Sequence, residues 1–165
     1  MAEDYSGGAF RDMWNPNCFN NPASVSDPLF YCGYGDSGGV HRNSGVPGHA
    51  YALLVDGGTF NGHVINGIGL TKAAHIFWYA QATYLITSSD FADFADALQE
   101  SCSKLIDQTL NELSTSATSG PQPYPDQITE DDCTQVGEMI EAIELRLEPP
   151  CTETILDPNT PPICS

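Results

Sequence analysis

With 165 residues and 41% hydrophobic composition, the chain is long enough to bury one substantial core. Its 22 acidic residues stand against 5 basic ones, a formal net charge of −17, which excludes nucleic acid and anionic membranes as natural partners because both would be repelled. An acidic surface suits solubility in an extracellular medium, and bound calcium, whose preferred ligands are carboxylates, is a second reading of the same charge. No run is apolar and long enough to cross a bilayer. Met1-Ala2-Glu3-Asp4-Tyr5 lacks the basic start and apolar stretch of a signal peptide, so export is expected to depend on sequence upstream. Six cysteines, at 18, 32, 102, 133, 151 and 164, include no C-x-x-C pair; an even set spread along the chain favours disulfides and an oxidising compartment.

Residues 1–35 are rich in Gly, Pro, Asn and Asp but carry Phe10, Met13, Trp14, Phe19, Leu29, Phe30 and Tyr31, too many apolar groups for a disordered tail; they read as ordered loop. Cys18 and Cys32 bracket a short stretch there and could staple it, a closure worth about 3 kcal/mol in the chain-entropy picture. Next comes Asp36-Ser37-Gly38-Gly39-Val40-His41-Arg42-Asn43-Ser44-Gly45. Adjacent glycines mark a turn, and a sharp turn at Gly38-Gly39 would return His41 to Asp36. A carboxylate beside an imidazole fixes its tautomer and favours its charged form, which suits it to donate to developing negative charge.

Pro47-Gly48 opens a predicted short helix over 49–55, closed by Gly57-Gly58. Thr59-Phe60 and His63-Val64-Ile65, split by Asn61-Gly62, predict a tight hairpin. A helix is expected over 70–85 with Ala73, Phe77, Ala80 and Tyr84 on one stripe; Ile76, Trp78 and Tyr79 make it aromatic nearly all round, which predicts a central position. Asp90 caps the next helix, whose apolar steps run from Phe91 to about Leu113. Residues 114–127 read as a flexible surface loop. Thr129-Glu130-Asp131-Asp132 resembles a capping box, opening a last helix over 130–147. Pro149-Pro150 stops it. Cys102 and Cys133 lie on apolar stripes and could join the last two helices, and a Cys151–Cys164 bridge would close the proline-rich tail. The expected organisation is a mainly α domain over 1–147, with about four helices, a small hairpin and long loops, followed by a disulfide-stapled tail over 148–165. His49, His63 and His75 read as a helix residue, a turn neighbour and a polar-face residue, none at metal-ligand spacing.

Several ordered motifs together resemble the thermolysin-like zinc metallopeptidases. Gly35-Asp36-Ser37-Gly38-Gly39-Val40-His41-Arg42-Asn43-Ser44-Gly45-Val46-Pro47 looks like that family's active-site histidine segment. Ala9-Phe10-Arg11-Asp12-Met13 looks like the segment before it, Asp56 to Gly62 and Gly67-Ile68-Gly69 like the hairpin after it, and Ile76-Phe77-Trp78 with Tyr84-Leu85 like the following helix. The similarity is strong over about 9–98 and weaker to about 145.

The resemblance implies the family's C-terminal helical domain. His41 would stabilise the tetrahedral intermediate of peptide hydrolysis, Asp36 would orient His41, Arg11 would hold a substrate carbonyl, and Phe10 would line the pocket for a hydrophobic side chain. Ser37 stands where the family often has asparagine. The implied cofactor is zinc, but the His-Glu-x-x-His pair that binds it is absent from the 165 residues; the zinc ligands and general base are expected in an N-terminal half upstream. Calcium is a further implied ion, and Glu3 and Asp4 resemble the acidic pair near its site. The implied partners are a peptide or protein substrate and that N-terminal half, in a secreted enzyme. The alternative is a non-catalytic secreted module that kept the fold without a metal site.

Overall fold

The computed structural model describes residues 9, 11–116 and 120–151. Phe10, Glu3, Asp4 and Cys164 lie outside them, and with them the expected apolar pocket residue and the acidic pair. The described chain falls into two compact units, one running up to His49 and resuming at Leu147, the other Ala50–Arg146.

In the first unit a 3-10 turn, Pro16–Phe19, begins a loop stitched by Asp27. One oxygen of this carboxylate accepts from the Asn17 side chain (2.8 Å) and the Ala23 amide (2.9 Å), the other from the Leu29 amide (2.8 Å). Burial pushes its pKa up, but these three donors outweigh that and hold it below the usual carboxylate value. Val25 and Val46 are fully buried here. Apart from that turn, described residues 11–34 form no helix or strand.

The helix α1 spans Gly45–Asp56, beginning four residues ahead of the predicted start. Pro47 does not block it, because first-turn amides have no intrahelical partner to lose. At its end the Gly57 amide bonds the Leu53 carbonyl at φ 76°, the left-handed closure expected of glycine.

The second unit contains β1 (Gly58–Phe60) and β2 (His63–Ile65), antiparallel with Phe60 opposite His63. Asn61 (φ 47°) and Gly62 (φ 83°) are both left-handed, as a two-residue hairpin turn requires. α2 is Leu70–Thr83, α3 Phe91–Leu105 and α4 Glu130–Ile143. Both α3 and α4 open on complete capping boxes, Asp90 with Asp93 and Thr129 with Asp132. α2 packs on α3, α3 on α4, and α4 on β2. Leu54, Ile76, Leu98, Val136, Met139, Ile140 and Ile143 are buried throughout this core. Tyr51, Phe77 and Phe94 stack edge to face with centroids 5.0 and 5.6 Å apart.

Five expectations need correction, one of them the last helix: it ends at Ile143, four residues short of 147, where Glu144 turns left-handed (φ 62°). α3 stops at Leu105, about eight residues early: Ile106 turns extended and bridges Ile128, Asp107 is left-handed (φ 59°), and Leu110 is buried in an extended segment rather than on a helix face. The loop after it is accordingly part-paired, with the Glu112 amide on the Gln122 carbonyl and the Tyr124 amide on the Leu110 carbonyl, both 2.8 Å. Trp78 is 68% exposed, so α2 is not apolar all round; it lies two residues from both Ile76 and Ala80, roughly 200° around a helix from that buried stripe. Finally, Cys102–Cys133 joins α3 to α4 as expected, but Cys32 pairs with Cys151, 119 residues away, and neither Cys18–Cys32 nor Cys151–Cys164 forms. Cys18 is an exposed free thiol. Nearness along the chain favoured the local pair; the return of the chain at Leu147 to the first unit makes the distant one.

Candidate active site

The turn at 35–39 is tighter than two glycines suggest. Asp36, Ser37, Gly38 and Gly39 are left-handed in succession, with φ of 55°, 50°, 81° and 85°. Each non-glycine residue in that region costs roughly 1–2 kcal/mol, and aspartate tolerates it better than most. The offset comes from the Asp36 carboxylate, whose Oδ2 accepts from the backbone amides of His41 and Arg42, both at 3.1 Å. Gly39 has no substitute. Beyond its positive φ, a Cβ there would sit 2.8 Å from the Tyr31 ring and 2.9 Å from Asn43 Nδ2.

The other carboxylate oxygen, Asp36 Oδ1, lies 2.5 Å from His41 Nδ1. That hydrogen bond is the leading cause holding the Asp36 pKa below its ordinary value, with the Arg42 and His41 amides and the imidazole charge adding to it. An ionised carboxylate can only accept, so Nδ1 carries the proton. Nε2 is then the working edge of the ring, and the His41 side chain is 76% exposed. Asp36 thus fixes the tautomer and aims the ring.

Arg11 meets the same residue from its backbone side: Nη2 donates to the His41 carbonyl at 3.3 Å, and Ser44 Oγ donates to that carbonyl at 2.7 Å. The structure therefore brings Asp36, His41 and Arg11 together. The other histidines serve elsewhere. His49 Nδ1 lies 2.9 Å from the buried Ala23 carbonyl, and burial lowers its pKa more than that bond raises it. His63 pairs with Glu138 at 2.9 Å, and His75 Nε2 with the Asn111 carbonyl at 2.8 Å.

How the loop is closed is not announced by its sequence. The Asn43 side chain accepts from the Tyr31 amide and donates to the Tyr31 carbonyl, both at 2.9 Å. The Arg42 guanidinium stands over the Tyr31 ring, 5.0 Å from its centroid. Asparagine two residues after the histidine, in a segment with few apolar residues, was the available signal.

Among the described residues no three His, Cys, Asp or Glu side chains gather as a metal site. Asp36 and His41 are a pair without a third donor of that kind, so the described residues do not fit zinc.

A family model for the thermolysin metallopeptidase, alpha-helical domain, matches residues 1–119. A zinc metalloproteinase of Renibacterium salmoninarum is 31% identical over 155 residues, covering 88% of this chain and 25% of the relative. A bacillolysin of Brevibacillus brevis is 40% identical over 97 residues, covering 56% and 18%. The thermostable neutral protease NprT of Geobacillus stearothermophilus is 36% identical over 110 residues, covering 67% and 20%. The chain thus spans a quarter or less of the length of these relatives.

Proposed function

The chain belongs to the thermolysin metallopeptidase family, matching its α-helical domain, and on that premise we propose that it forms one side of the cleft of a secreted zinc-dependent endopeptidase. The carrying observation is the Asp36–His41 pair with its Nε2 edge exposed. Adding water to a peptide carbonyl places negative charge on its oxygen. A preorganised donor aimed at that charge lowers the barrier. His41 supplies it from Nε2–H when both ring nitrogens are protonated, with Asp36 holding the ring through Nδ1–H. Arg11 adds a second cation near His41 and a planar fork suited to a substrate carbonyl. Zinc belongs to the reading as an ion held by polypeptide beyond these 165 residues, where the relatives' greater length leaves room for it. Calcium as a stabilising ion is part of the same reading.

In the complete protease, His41→Ala should lower kcat by about 10²–10³-fold, the range for loss of one oxyanion donor, with little change in KM. A near-normal rate would remove His41 from catalysis, whereas a complete wild-type protein that hydrolyses no peptide would leave the non-catalytic module as the better account.

A further inference from the structure

We propose that Asn43 is a positioning residue for His41, acting by locking the two roots of the loop that carries the Asp36–His41 pair; this deepens the endopeptidase reading and rests on it.

The loop leaves at Tyr31 and returns at Asn43. Between them lie the four successive left-handed residues and the exposed imidazole. Such a backbone holds its shape only where its surroundings over-determine it. One side chain does most of that here. Asn43 is 8% exposed, and its carboxamide meets the Tyr31 backbone twice, imitating one rung of an antiparallel ladder. Its own amide donates to the Gly39 carbonyl at 2.7 Å, and its carbonyl accepts from the Val46 amide at 3.1 Å, at the start of α1. The residue therefore ties the entering segment, the end of the left-handed turn and the first helical turn together. His41 is two residues away and its carbonyl is gripped by Ser44 and Arg11. With the clamp gone, Asp36 and His41 keep their mutual bond but lose the frame that aims Nε2.

The chemistry selects asparagine. Aspartate can accept from the Tyr31 amide but presents a carboxylate to the Tyr31 carbonyl, so half the clamp turns repulsive. Alanine removes both bonds and leaves the Tyr31 amide and carbonyl short of partners in a part-buried place.

The test is a double-mutant cycle in the complete protease, with Asn43→Ala and Asn43→Asp each made alone and with His41→Ala. Peptide hydrolysis and thermal unfolding are measured for all. Misaiming a group that acts on the reacting atoms costs up to about a hundredfold; each Asn43 variant should lower kcat by about ten- to a hundredfold with KM within roughly threefold. In the His41→Ala background the same change should alter kcat by less than about twofold, since no aimed donor remains to be lost. An equal fall in both backgrounds, or a normal kcat in the single variants, overturns the positioning role. If Asn43→Ala does not fold, Asn43→Asp, which keeps one bond, carries the cycle. A His41→Ala protein with full activity would instead overturn the endopeptidase role of His41, and the two failures are distinguishable from one set of proteins.

Discussion

Asp132 should be the most costly carboxylate in the second unit to remove. Its Oδ2 accepts from Lys72 Nζ at 3.0 Å, from the Thr129 amide at 2.8 Å and from Thr129 Oγ1 at 3.0 Å. Both partners of the ion pair are sheltered, with side chains 9% and 10% exposed. Lys72 also bonds Asp126 at 2.9 Å, but Asp126 is 63% exposed. Burial alone would push the Lys72 ammonium down; the hydrogen bonds and charges of the two carboxylates outweigh it and leave its pKa raised. Breaking a buried pair from one side typically costs about 3–5 kcal/mol, and a lost cap adds about 1. Asp126 remains as a partner and offsets part of this, so Asp132→Ala should destabilise by about 3 kcal/mol, a fall of about 6–12 °C in Tm for a chain of this size. Asp126→Asn, at an exposed pair, should cost under about 1 kcal/mol. Lys72→Met combined with each change completes a cycle, with a large coupling to Asp132 and a small one to Asp126. The sign with pH follows from the raised lysine pKa: its contribution is complete below the unfolded value of about 10.4 and is lost as pH rises through the folded one. Urea and thermal unfolding read all of this. Equal losses for the two aspartates would refute the claim that burial, rather than charge alone, sets the cost.

Two further outcomes concern stability. Removing the α3–α4 link with Cys102→Ala and Cys133→Ala should cost about 4 kcal/mol by loop-closure entropy for a separation of 31 residues; an unfolding midpoint unchanged by the double substitution would show that the helices hold each other without it. His49 is buried with a lowered pKa, so its unfolded form takes up a proton first as pH drops. Stability should be flat above about pH 6.5, the ordinary histidine value, and decline below it towards the folded pKa; in His49→Gln that part of the decline should disappear, and a decline of unchanged size would assign it to other groups.

What could be read from sequence was local. Asn61-Gly62 predicts its own turn, and Asp90 and Thr129 announce their helices, because each device is complete within four residues. The nearness of Asp36 to His41 is legible for the same reason. Cys102 and Cys133 fall on helix stripes that periodicity reveals. The failures are competitions decided at a distance. Leu105 and Ile106 continue a helical spacing, yet the bridge from Ile106 to Ile128 takes the chain away from it. Trp78 carries a hydrophobic label, but the stripe of Ile76 and Ala80 chose the other side of α2. Lys72 and Asp132 are 60 residues apart, and Cys32 and Cys151 are 119 apart. Asn43 was visible but silent, because its work is done on a backbone 12 residues earlier.

The two disulfides among the described residues cross the exposed stretch at Ser114–Ser116 from either side: 32 and 102 precede it, 133 and 151 follow it. A backbone cut there leaves both fragments tied by two sulfur bridges. Were the chain cut there, the nicked molecule would migrate as one species until a reductant parted it into two.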